Sequence, residues 1–126
     1  MISEGGAMLV LPIKKKWFDM ILSGEKKEEY REIKPYYNRI LGKLFIGFPF
    51  TEAIIKNFEN IKDYDEKQIK SNVEIIFRNG YRYNSPAVRC RCAITIGPGI
   101  KEWGAEPGID YYVLKILKIL EVRNNG

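Results

Sequence analysis

The run SGEKKEEYRE, residues 23–32, sets Lys26 two residues after Gly24 and follows it with Glu29 and Arg31. Side chains alternate along an extended strand, so Lys27, Glu29 and Arg31 fall on one face and Glu28, Tyr30 and Glu32 on the other. A lysine at the end of a glycine turn, followed by a strand that presents a glutamate and an arginine together, can gather three charged groups at one spot. Such a group can be the edge of a binding or catalytic site. The same residues also make an ordinary solvated strand, whose ion pair contributes about 0–1 kcal/mol. The chain has no histidine. That removes Ser-His-Asp and Cys-His nucleophile activation, and imidazole as a proton shuttle near neutral pH. Any chemistry must run on Glu, Asp, Lys, Tyr, Ser or Thr.

Charge narrows the class of partner. The 126 residues carry 21 Lys and Arg against 16 Asp and Glu, a formal charge of +5. Residues 14–43 hold nine basic and five acidic side chains, residues 78–91 hold Arg78, Arg82, Arg89 and Arg91 with no acid, and residues 52–70 are near neutral. A localised positive field attracts polyanions even at small net charge, which points to a phosphate-bearing partner. The competing reading is that these cations only solubilise exposed faces. Neither GxxxxGKS/T nor GxGxxG occurs, so nucleoside-triphosphate and NAD binding have no support, and no cofactor is expected. Cys90 and Cys92 stand two apart in an extended run, where disulfide geometry is rarely reached. Two thiols without histidine do not complete a four-ligand zinc site in one chain. No metal is expected, and both cysteines read as half-buried strand residues.

These residues need elements to position them. MLVLPI (8–13) reads as a short strand with Pro12 at its end or on an edge. Trp17, Phe18, Ile21 and Leu22 form one stripe of an amphipathic helix that Gly24 stops. Residues 26–32 form the charged strand. Pro35 opens a short helix that closes at Gly42. A buried strand is predicted over 44–50, and a helix over 51–72 with Ile54, Ile55, Phe58 and Ile61 on one face. VEIIF (73–77) is a strand that Asn79-Gly80 turns, as a hairpin, into Tyr81-Arg82-Tyr83. Residues 87–97 form a longer strand with Val88, Cys90 and Cys92 on one face and Arg89 and Arg91 on the other. A glycine- and proline-punctuated loop, 98–108, carries Trp103, for which a core position is expected. Residues 109–122 fit a strand or an amphipathic helix, and the Tyr111-Tyr112-Val113 start and the glycine loop before it favour a last strand. The expected fold is α+β, a small barrel-like sheet of about six strands with two or three flanking helices. Residues 1–7 read as a flexible arm and residues 8–126 as a single domain. No apolar run spans a bilayer and no basic-then-apolar leader opens the chain, so a soluble, cytoplasmic protein without a membrane partner is expected.

The stretch WFDMILSGEKKEEYRE, with Gly24, Lys26, Glu29 and Arg31 in the spacing GxKxxExR, resembles the signature of the ASCH domain family, which is similar in fold to PUA domains. FRNGY (77–81) and EWGAEP (102–107) resemble runs in small stand-alone members, so the likeness touches both halves of the chain. The resemblance implies a PUA-like β-barrel with a ligand cleft beside it and a role in binding RNA or a nucleotide-like molecule. Lys26 and Arg31 would then contact phosphate or ligand, with Glu29 orienting one of them or accepting hydrogen bonds. Trp17 and Tyr36 would pack behind or beside them. Arg78, Arg82, Arg89 and Arg91, interleaved with Tyr81 and Tyr83, would extend the basic surface by stacking on unpaired bases. Some similar proteins hydrolyse N4-acylated cytidine with a lysine and a threonine three residues later, and ribonuclease activity is also associated with relatives. Here Lys26 matches the lysine, but Glu29 holds the threonine position. A carboxylate does not replace an activated hydroxyl, because its acyl adduct would be a mixed anhydride. An enzymatic alternative would use Glu29 as a general base on water and Lys26 to stabilise the oxyanion.

Overall fold

The structure, a computed structural model, describes residues 9–42 and 70–124. In chain order they form β1 (Leu9–Pro12), α1 (Lys15–Ser23), β2 (Glu28–Glu32), α2 (Pro35–Tyr37) running into a π-helical turn (Asn38–Gly42), β3 (Lys70–Arg78), β4 (Ala87–Pro98), a 3-10 turn (Lys101–Trp103) and β5 (Asp110–Arg123). The arm 1–7, the expected strand 44–50 and the expected helix as far as residue 69 lie outside the described residues.

The fold is α+β, with a mixed five-stranded sheet in the order β1-β3-β4-β5-β2. β1 runs parallel to β3, pairing Leu9 with Ile75 and Leu11 with Phe77. β2 runs antiparallel to β5, pairing Glu29 with Leu114 and Arg31 with Tyr112. About six strands were expected and five are described; of the other expected segments, 81–83 is a loop and 44–50 lies outside the described residues. Among the described residues no helix is long and apolar enough to cross a membrane.

The chain divides into two compact units, and β3, β4 and β5 each contribute to both. Among the described residues, the first holds 9–27, 72–92 and 116–124. Its core collects Leu11, Phe18, Ile21, Ile75, Phe77, Val88, Cys90 and Cys92. The inner strand β3 buries the consecutive Ile75, Ile76 and Phe77, so both of its faces are covered there. Pro12 ends β1, and α1 buries Phe18 and Ile21 before Gly24 caps it in the left-handed region at φ 84°. On β4, Val88, Cys90 and Cys92 are buried while Arg89 and Arg91 are half-buried, the alternation expected of it. The second unit holds 28–42, 70–71 and 93–115, with Leu41, Ile94, Ala105, Tyr112, Val113 and Leu114 at its core.

Three expectations are corrected. Lys70–Asn72 opens β3 and is not the end of a helix. Asn79-Gly80 does not return directly into a strand: Tyr81-Arg82-Tyr83 belongs to a loop that Asn79 closes by donating its amide to Pro86 O at 2.8 Å, and β4 starts at Ala87. Pro86 has no amide to give a ladder, so pairing begins only after it. Trp103 is half-buried on its 3-10 turn and is not a core residue.

Candidate functional site

β2 carries its charges on the buried face. Glu29 and Arg31 are buried, Glu28 and Tyr30 half-buried, and Glu32 exposed. Register explains this inversion. Glu29 lies opposite Leu114 and Arg31 opposite Tyr112, so both share a face with fully buried residues of β5. Charges in such a place must answer one another, and Arg31 Nη2 donates to Glu29 Oε2 at 2.7 Å. On the same face the Tyr112 hydroxyl donates to Asn38 Oδ1 at 2.5 Å, with both residues buried. Burial raises the Tyr112 phenol well above its ordinary value.

Pro35 starts α2 immediately after β2 and delivers Tyr37 to Arg31. Arg31 Nη1 donates to the Tyr37 hydroxyl at 3.3 Å, and its guanidinium carbon lies 5.8 Å from that ring's centroid. The Lys34 ammonium lies 5.4 Å from the same centroid, so two cations share one aromatic ring. Glu32, 3.8 Å from Lys34, partly answers the second of them. Tyr36 is exposed and meets Tyr37 edge to face at 5.0 Å.

These groups border an open cavity of about 820 Å³, whose lining includes Tyr30, Arg31, Lys34, Tyr37, Glu106 and Tyr111. Two phenols hold its loop wall. Tyr30 Oη accepts from the Ile100 amide at 2.9 Å and donates to Glu28 Oε1 at 2.8 Å, while Tyr111 Oη accepts from the Glu106 amide at 3.0 Å. The two rings stand 5.7 Å apart. Burial pushes the Tyr30 phenol far up; Glu28 adds to the rise and the Ile100 amide opposes it. The lining carries Arg31 and Lys34 against Glu32, Glu106 and Asp110, so its charge is mixed.

Lys26 belongs to the first unit and Glu29 and Arg31 to the second. Lys26 is 1% exposed, and its ammonium lies 4.7 Å from the centroid of the half-buried Trp17 ring. Arg89 lies against Glu74, and its Nη1 donates to Glu121 Oε1 at 3.3 Å, so acids of β3 and β5 offset its charge. The Glu74 hydrogen bond raises the Arg89 pKa above its ordinary value. Arg78 is half-buried and its carbonyl accepts from the Ile13 amide at 2.9 Å. Arg91 is half-buried with a buried Nε that makes no hydrogen bond. Arg82 is exposed, as are Tyr81 and Tyr83. Cys90 and Cys92 are free and fully buried, not half-buried as expected, because they share the packed face of β4 with Val88, and burial pushes the Cys90 thiol up to about 12 and Cys92 higher. Among the described residues no three His, Cys, Asp or Glu cluster to hold a metal.

Sequence reasoning did not single out Lys34, Tyr37, Tyr111, or the Asn38–Tyr112 pair. Only the pairing of β2 with β5 and the entry into α2 bring Tyr30, Tyr37 and Tyr111 to one cavity, and neither leaves a local signal. Comparison of the chain with protein-family models, with curated proteins and with solved structures finds no match.

Proposed function

We propose that the chain is an ASCH-type, PUA-like module of the cytoplasm that binds RNA or a nucleotide-like ligand in the tyrosine-walled cavity of its second unit. One observation carries this reading: Arg31 and Lys34 converge within 6 Å of one Tyr37 ring at the cavity wall. Glu29 answers Arg31 and Glu32 partly answers Lys34, and a phosphate or carboxylate seated beside the ring would add a further anionic partner to this pair of cations. Glu106 and Asp110 in the lining supply acceptors for amino or hydroxyl groups of the same ligand. About 820 Å³ is room enough for a molecule of nucleotide size. Glu29 serves this site by holding Arg31. That engagement favours binding over hydrolysis, since a general base needs its carboxylate oxygens turned to water.

The test is calorimetric titration with a mononucleotide, the matching nucleoside and inorganic phosphate, on wild type and on Lys34→Ala. Wild type is expected to prefer the mononucleotide to the nucleoside, and Lys34→Ala, which alters an exposed side chain, to lose about tenfold in affinity for it. Equal affinity of the two proteins for the mononucleotide would sink the reading.

A further inference from the structure

The loop that replaces the expected hairpin, residues 79–86 of the first unit, holds large aromatic side chains in water. Tyr81 is 94% exposed and Tyr83 68%, although exposed aromatic area ordinarily costs stability. The loop is nonetheless firmly built. Asn79 closes its base on Pro86 O, and its Nδ2 donates to Ile13 O at 2.9 Å. Ser85 N donates to Arg82 O, and Arg82 N donates to Ser85 Oγ, both at 3.0 Å. Gly80 admits that hydroxyl, which stands 2.5 Å from where a Cβ would be. Arg123, at the end of β5, donates from Nε to Ser85 O at 3.0 Å and from Nη2 to Tyr83 O at 2.7 Å. Its guanidinium carbon lies 5.8 Å from the Tyr83 ring centroid.

The electrostatics are one-sided. Those two partners of Arg123 are neutral carbonyls, which leave its charge in place. Arg82 is exposed on the loop, and Lys14 lines a groove of about 410 Å³ together with Tyr81. Among the described residues no carboxylate lines that groove, and none occurs between residues 78 and 91. Exposed rings on a hydrogen-bonded frame, beside Arg82, Arg123 and Lys14 and with Glu121 of β5 engaged by Arg89, match the chemistry of a strand of unpaired bases, whose faces stack and whose phosphates are anionic. An acidic peptide would satisfy the charge but would leave the two exposed rings without a role.

We propose that the Asn79–Pro86 loop is a second contact surface, separate from the cavity of the other unit, on which Tyr81 and Tyr83 stack bases of a single-stranded nucleic acid, and that Arg123 is the positioning residue that keeps it stacking-competent. Lysine at 123 would retain the charge and lose the two-pronged grip.

The experiment is fluorescence anisotropy of a short labelled oligouridine at two salt concentrations. It compares wild type, Tyr81→Ala/Tyr83→Ala, Arg123→Lys and the cavity variant Lys34→Ala, with polyglutamate and duplex DNA as competitors. The tyrosine double variant is expected to lose at least about tenfold in affinity with its salt slope unchanged, because stacking is neutral and phosphate contacts are not. Arg123→Lys is expected to lose affinity in the same way, with the wild-type salt slope, while both loop variants bind the mononucleotide as wild type does. A purely structural role for Arg123 would weaken mononucleotide and oligouridine binding together. Wild-type affinity in the tyrosine variant, competition by polyglutamate or duplex DNA as strong as by unlabelled oligouridine, or no oligouridine binding by wild type would each overturn the proposal. Failure of the cavity reading shows separately, as equal mononucleotide affinity in wild type and Lys34→Ala.

Discussion

At the scale of single residues, close approach explains most about the cavity wall. Gly99 has no space for a side chain: a Cβ there would stand 2.6 Å from Ala105 Cβ and 2.7 Å from the Tyr30 ring. Backbone and a packed aromatic ring cannot both yield. Gly99→Ala is therefore expected to cost about 1–3 kcal/mol in urea unfolding, the range for overpacking a filled interior. It should also pull Tyr30 Oη from the Ile100 amide, seen as faster hydrogen exchange at Ile100. Unchanged exchange at Ile100 would show that the wall is held by something other than this phenol. The charged run of β2 belongs to the same scale. Its residue types were readable in advance, but that Glu29 and Arg31 face inward was not, because alternation names two faces without saying which is buried.

At the scale of elements, β4 shows how a charge run changes meaning once its neighbours are known. In sequence, Arg89 and Arg91 are alike, two cations on one face of one strand. β4 lies between β3 and β5, and these neighbours bring Glu74 and Glu121 to Arg89. Arg89 thus ties three strands together and has little charge left for a polyanion. Arg89→Met is expected to lower the urea midpoint more than Arg91→Met does, and the gap is expected to narrow at high salt, where half-exposed pairs are screened. Oligouridine affinity should barely respond to Arg89→Met. Equal urea midpoints for the two variants would remove the three-strand tie.

At the scale of the whole molecule, alkaline pH probes the buried acids. Burial raises Cys90 to about 12, with Cys92, Tyr112 and Tyr30 higher still. Above pH 9 the unfolded chain loses thiol protons that the folded chain keeps, so the unfolded state binds fewer protons and stability falls as pH rises. Each thiol contributes a slope of about 1.4 kcal/mol per pH unit, and the tyrosines join above about pH 10. Urea midpoints at pH 8, 9 and 10 should fall accordingly in wild type and less steeply in Cys90→Ala/Cys92→Ala; a flat wild-type profile would contradict the burial of these groups. By itself the sequence determined what acts over a few residues. Periodicity placed α1 and β4, residue type and the glycine loop before it favoured β5 as a strand, Gly24 and Pro35 marked ends, the missing histidine removed whole classes of chemistry, and the arginine run of 78–91 marked a charged segment. Only the tertiary structure decided which cations stay available, which face of β2 is buried, and that Tyr30, Tyr37 and Tyr111 share a cavity. The last two outcomes depend on strand pairing between residues more than 80 apart in the chain, such as Arg31 with Tyr112, and no local preference encodes such a register.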